Sequence, residues 1–275
     1  MPKSSRGGRR STPATNSVDV NSVDTNDTTP SLATILANPV GNAVQMTDAD
    51  AQKLRDDQDS VYDGSVTAAV KMYISGQPGT PAANIDGQGH SMSQAMNYLL
   101  ENGVDLNTAT VDQVNKQFGL RLSPKAYASM QYANAYMEAG SHALGKDTLL
   151  TRGAHDAILR NEFGISDYTK LSDSQLKAKL VGGTITTKAY TSTSYDASKS
   201  PFLNSASGVA GGREVIYKIK AGANTKVLMG AKSQAEIILN KGTNFRITDV
   251  YYSGQMAYPR NKGAMKQIII EMETF

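Results

Sequence analysis

The 275-residue chain has no cysteine, which excludes disulfides, thiolate metal centres, iron–sulfur clusters and thiol nucleophiles. Its three histidines, His90, His142 and His155, lie too far apart to form a short metal-binding motif, so metal-dependent chemistry is not expected. There is no run of about 18 apolar residues, and the basic start, Met1 to Ser11, lacks the apolar stretch of a secretory signal. These absences predict a soluble protein without a membrane span, exported, if at all, by another route. Charge of one sign is also scarce: 28 basic against 25 acidic side chains leave +3, too little to demand a nucleic-acid partner. Hydrophobic residues make up 39%, enough for a core but lean, which points to a polar appendage on a folded domain.

That appendage is read at the start. Residues 1–45 are rich in Ser, Thr, Asn, Asp and Pro, with few large apolar residues, behind a basic head of Lys3, Arg6, Arg9 and Arg10. Such a segment buries too little apolar surface to offset its ordering entropy. The expectation is a disordered tail over 1–45 and one folded domain over 46–275.

Beyond the tail the pattern is helical. Thr47 with Asp50 three residues later makes a capping box, and Val66, Ala69, Val70, Tyr73 and Ile74 recur at helical spacing. Met92 to Leu100 repeats that spacing behind Ser91 and Gln94; Thr110 and Gln113 open a further helix closed by Gly119. Ser123 and Pro124 open a longer one, expected to reach about Leu144. After Asp147 the texture changes. A short strand over 148–151 precedes helices near 156–163 and 173–180, and strands are predicted over 184–191, 214–221, 225–229, 234–240, 245–252 and 266–275. Helices first and strands later predict an α+β fold with the layers segregated. The Ser-, Gly- and Ala-rich connection from Tyr195 to Arg213 is longer than structure alone requires, a frequent mark of binding loops.

Three pieces of the second half stand out together: Leu149-Leu150-Thr151-Arg152-Gly153, Tyr190-Thr191-Ser192-Thr193-Ser194, and Ser233-Gln234-Ala235-Glu236-Ile237-Ile238-Leu239. Each alone is common. In this order, each on a predicted strand, they resemble the mono-ADP-ribosyltransferase toxins of the Arg-Ser-Glu class, in the Gln-x-Glu variant found in C3-like and phage-type enzymes. Lys241-Gly242-Thr243 and Phe245-Arg246-Ile247 resemble the family's continuation after the glutamate, so the likeness runs from about Thr47 to Phe275.

The resemblance implies an ADP-ribosyltransferase-like fold, two facing antiparallel β-sheets with an N-terminal helical layer, and NAD as substrate in the cleft between the sheets. It also implies a reaction that moves ADP-ribose to an acceptor and releases nicotinamide, with no metal. Arg152 suits the diphosphate, because a guanidinium can hold two phosphate oxygens by parallel charge-assisted hydrogen bonds. Gly153 would let backbone approach the nicotinamide amide. Departure of nicotinamide leaves an oxocarbenium-like sugar that a carboxylate stabilises, the role the resemblance gives Glu236, with Ser192 orienting it. Strand period places Gln234 and Glu236 on one face. The amide of Gln234 suits an acceptor other than arginine, because arginine-modifying relatives carry a glutamate there.

Asn97, in an element like the family's Asn-Tyr-Leu-Arg, and Phe202, in the long loop, are further NAD-binding candidates, and Arg213 could assist the phosphates. The expected acceptor is macromolecular, a protein side chain, with nucleic acid as the alternative and no membrane partner. Two other readings stay open: NAD glycohydrolysis, and a non-enzymatic NAD-binding or virion structural protein. The resemblance further implies a secreted, injected or phage-delivered effector acting in a target-cell cytoplasm.

Overall fold

The computed structural model describes residues 30–75, 84–200, 203, 213–257 and 263–275. Helix α1 (Leu32–Ala37) comes first, followed by α2 (Asp48–Ser60), α3 (Ser65–Ile74), α4 (Met92–Glu101), α5 (Val111–Phe118) and α6 (Pro124–Gly140). The start signals act as the sequence predicts. Thr47, Ser91 and Thr110 each form a complete capping box, and Ser123 caps α6 with Pro124 in its first turn. Helix α6 stops at Gly140, short of the expected Leu144, because His142–Ala143 pairs as strand β1 with Val227 and Lys226. Gly140 also lets α6 press on α3: a Cβ there would stand 2.2 Å from Val66 Cγ2.

The remaining strands are β2 (Thr148–Ala154), β3 (Thr184–Thr186), β4 (Thr191–Ser194), β5 (Val215–Ala221), β6 (Lys226–Met229), β7 (Glu236–Leu239), β8 (Asn244–Ala257) and β9 (Met265–Thr274). Two short helices, α7 (Ala157–Phe163) and α8 (Asp173–Leu180), lie between β2 and β3. The strand expected over 184–191 is two strands with different partners. Thr184–Thr186 pairs with β8 and Thr191–Ser194 with β7, so residues 187–190 carry the chain from one to the other.

The α+β class and the helical layer hold. The two expected sheets are instead halves of one hydrogen-bonded ladder, in the order β1-β6-β7-β4-β2-β5-β9-β8-β3. Only one register pair, Thr151↔Ser194, joins β4 to β2, and one pair of strands, β5 and β9, runs parallel. The halves still share a core. Val227, Met229, Ile237 and Leu239 from the β6–β7 side pack with Leu150, Ile219, Val250 and Ile270 from the other. The alternate residues Leu228 and Ile238 point instead into the helical layer, among Tyr73, Met96, Leu99, Met130 and Met137. Strands β6 and β7 are therefore covered on both faces, which explains their unbroken apolar runs. Truncating Ile238 to Ala would cost about 2–5 kcal/mol, since its side chain is wholly enclosed between sheet and helices.

The tail boundary at 45 needs correction. Ser31 caps α1 through the Thr34 N–H, and Ile35 and Leu36 pack with Leu203, Ile216 and Ile269 on the outer face of β5 and β9. Val44 then bridges Thr148 at the start of β2. A few apolar residues suffice to order 30–45 because the sheet offers them a ready face.

Candidate active site

Strand β2 places Arg152, β4 places Ser192, the β6–β7 connection places Gln234 and the start of β7 places Glu236. These four side chains line one narrow crevice, with Thr151, Ser194 and Ser200 among its walls. The crevice lies where β2 meets β4, at the single Thr151↔Ser194 join. Arg152 therefore belongs to one half of the ladder and the other three to the opposite half.

Glu236 opens β7 directly opposite Ser194 and is almost fully buried at 6% exposure. Its Oε2 accepts the Ala231 N–H at 2.8 Å. The chain tightens around it: the Gly230 N–H donates to the Glu236 carbonyl at 3.0 Å and the Glu236 N–H to the Ala231 carbonyl at 3.1 Å. A Cβ on Gly230 would stand 2.2 Å from Glu236 Oε2, so a side chain there would have to displace the carboxylate from this position.

Gln234 is not part of that strand. It ends a short 3-10 turn, Lys232–Gln234, and Ala235 follows in the left-handed region with φ 48°. Strand period thus does not relate Gln234 to Glu236, contrary to expectation; the turn brings both to the crevice by another route. The left-handed Ala235, costly for a residue with a Cβ, is held by its N–H to the Lys232 carbonyl and by its carbonyl to the Tyr195 N–H. The Ser194 hydroxyl adds a tie, lying 2.9 Å from the Gln234 carbonyl and 2.7 Å from that of Asp196.

Arg152 Nη1 donates to the Ser192 carbonyl at 2.6 Å, closing the crevice across the two halves. Arg152 has no ion-pair partner among the described residues. The Ser192 hydroxyl makes no hydrogen bond to Glu236 among the described contacts; it lies beside the phenol of Tyr73 instead. The remaining space, about 20 Å³, has room for about one water. Gly153 is buried within β2 opposite Ile216 and is not part of the lining. Phe202 falls outside the described residues.

Asn97 lies behind the crevice. Its Nδ2 donates to Tyr73 Oη at 2.8 Å and to the Tyr190 carbonyl at 3.0 Å, while its Oδ1 is buried without a partner. Tyr73, on α3, links it to the crevice. Burial pushes the Tyr73 phenol well above its usual pKa, opposed by hydrogen bonds from Asn97 and Ser192; the Glu236 charge adds to the rise and the Arg152 charge opposes it. In the sequence Tyr73 falls at core spacing on an amphipathic helix, and nothing in a one-dimensional pattern marks it as a neighbour of β4.

At the far end of β2, His155 Nδ1 lies 3.2 Å from Glu214 Oε2, and Arg213 Nη1 meets the other ring nitrogen. Burial, joined by the like charge of Arg152, lowers the Arg213 pKa, with Glu214 opposing the shift. Among the described residues no group of three or more His, Asp or Glu could hold a metal ion, and no helix is long and apolar enough to cross a membrane.

A helical layer on a split nine-stranded ladder is the arrangement of the ADP-ribosyltransferase-like fold, and Arg152, Ser192, Gln234 and Glu236 gather at the split. Residues 141–275 match the model of the ADP-ribosyltransferase exoenzyme family. Similar solved structures include C3stau2 from S. aureus with NAD, at 15% identity, 85% coverage of this chain, 98% of that chain and a TM-score of 0.51. The enzymatic component C2-I of the C2-toxin from Clostridium botulinum matches at 14% identity and a TM-score of 0.50, over 83% of this chain and 48% of that one. The toxin BECa of a C. perfringens binary enterotoxin, solved with NADH, matches at 15% identity and 0.51, over 82% and 48%. The chain thus spans about half the length of C2-I and BECa and nearly all of C3stau2. No curated protein sequence matches it.

Proposed function

We propose that the chain is an NAD-dependent mono-ADP-ribosyltransferase that moves ADP-ribose to a macromolecular acceptor and releases nicotinamide. The observation that carries this reading is the gathering of Arg152, Ser192, Gln234 and Glu236 on one crevice within the family-matched segment.

The residues suit the chemistry. Arg152, bonded to a carbonyl and with no carboxylate partner among the described residues, is a guanidinium that can exchange the Ser192 oxygen for diphosphate oxygens, and that exchange opens the crevice. NAD is substrate here and no metal enters the scheme. As the nicotinamide–ribose bond breaks, its electron pair leaves with nicotinamide and the sugar becomes cationic. Glu236, fixed by the Ala231 N–H and screened from solvent, then faces that charge in a weakly polarisable setting where its stabilisation is strong. Ser192 sits between Arg152 and Tyr73 and positions the sugar end. The amide of Gln234, on the turn rim, orients an acceptor that is not arginine, a protein side chain in the first instance. Likeness to toxin enzymes supports an effector that acts in a target cell; secretion, injection and phage delivery are the proposed routes. The family resemblance adds Asn97, Gly153 and Phe202 as proposed NAD contacts, of which Asn97 and Gly153 stand behind the lining of the closed crevice.

Incubation of the full chain with labelled NAD and a cell lysate tests the reading. Label on a macromolecule supports transfer, free ADP-ribose alone indicates glycohydrolysis, and intact NAD refutes both. Glu236→Gln keeps the shape and removes the charge, and is expected to lower turnover at least about 100-fold. Normal turnover in that variant would remove Glu236 from the mechanism.

A further inference from the structure

Helix α2 lies outside the segment matched by the family model, yet it grips the turn beneath Glu236. Strand β1 stops opposite Val227, so at Met229 the outer edge of β6 has no strand beside it. Gln58, 2% exposed, takes the vacant place. Its Oε1 accepts the Met229 N–H at 2.7 Å and its Nε2 donates to the Met229 carbonyl at 3.3 Å. One helical turn earlier, Arg55 Nη1 donates to the Gly230 carbonyl at 2.6 Å. Lys232 Nζ reaches Gln52 Oε1 at 3.2 Å. Positions 52, 55 and 58 recur at helical spacing, so one stripe of α2 faces the turn.

The same turn holds the carboxylate. Met229 leads into Gly230, whose bare Cα abuts the carboxylate, and then into Ala231, whose N–H donates to Oε2. We infer that Arg55 and Gln58 are positioning residues for NAD cleavage: they fix the Met229–Ala231 backbone and through it the place of Glu236. The inference rests on the proposed function. A displacement of Glu236 by a fraction of an ångström matters because its effect depends on distance to the developing charge. Arg152, on the other half of the ladder, is untouched by α2, so ground-state NAD binding is separable from this effect.

The test compares the full-length wild type with Gln58→Met, Arg55→Met and Arg55→Lys. Two quantities are read: steady-state nicotinamide release, and hydrogen exchange at the Met229 and Ala231 amides. Both Met variants are expected to lower kcat about 10- to 100-fold while the KM for NAD stays within about twofold. Arg55→Lys, which keeps a donor and the charge, should recover part of the rate. Exchange at Met229 should rise about tenfold in Gln58→Met, with β5 and β9 unchanged, because an outer hydrogen bond is lost. Normal kcat in the Met variants overturns the inference, as does a loss that appears in KM instead, or a loss without faster exchange in the turn. Should Gln58→Met fail to fold, Arg55→Met, at a half-buried position, decides by the same criteria. A wild-type chain that leaves NAD intact overturns the functional reading and the catalytic part of this inference together. Unchanged exchange and kcat in an active chain overturn this inference alone.

Discussion

Gly230 lies against Glu236 so closely that one added methyl would stand 2.2 Å from Oε2 and 2.6 Å from Cδ. The carboxylate has therefore been given its place by an omission of side chain two positions before the Lys232–Gln234 turn. Gly230→Ala is expected to push the carboxylate aside and lower nicotinamide release about 10- to 100-fold. A thermal midpoint close to wild type, measured alongside, would separate displacement from unfolding. Wild-type turnover in the folded variant would show that the carboxylate position is unimportant.

Arg152 offers a different signature. Lysine keeps the charge but loses the planar fork, so Arg152→Lys is expected to raise the KM for NAD about 10- to 100-fold, equivalent to one or two charged hydrogen bonds. Its kcat should change less. Equilibrium titration with NAD checks this, and an unchanged affinity would remove Arg152 from diphosphate recognition.

Tyr73→Phe deletes a buried hydroxyl that accepts from Asn97 and lies beside Ser192. Asn97 retains the Tyr190 carbonyl, so the stability loss should be about 1 kcal/mol by denaturant titration. If the phenol also steadies Ser192, kcat falls severalfold with little change in KM; an unchanged kcat would confine Tyr73 to packing.

Acid should act on the start of α2. The Lys146 ammonium, with the Thr47 hydroxyl and N–H, holds the Asp50 carboxylate down at about 2. A depressed carboxylate stabilises the fold fully above its unfolded value, near 4, and that contribution is lost as pH falls through the folded value. The thermal midpoint of wild type should therefore drop between about pH 4 and pH 2 by more than that of Asp50→Asn. Equal drops would show that Asp50 contributes nothing in this range.

What could be read in the sequence was local. The capping boxes at Thr47, Ser91 and Thr110 depend on residues three apart, and the motif residues Arg152, Ser192, Gln234 and Glu236 stand on or beside short apolar runs whose strand character is plain. What escaped depends on partners distant in the chain. The break of 184–191 into two strands reflects pairing with β8 on one side and β7 on the other, which alternation of side chains cannot reveal. The left-handed Ala235 gives no signal, since alanine is a poor marker of that conformation. Gln58 and Tyr73 read as ordinary helix residues until the 171-residue gap to Met229 and the approach of β4 are seen in space. Helix α1, Leu-Ala-Thr-Ile-Leu-Ala, is apolar but too short to stand out behind the polar segment that precedes it.

The single rung between β4 and β2 bears on how the fold answers a ligand. Arg152 stands on one bank of this seam and Glu236 on the other, so a dinucleotide held by both would splint a junction that the backbone itself ties only once. Occupancy should then register far from the crevice, as a stiffening of the two banks against each other.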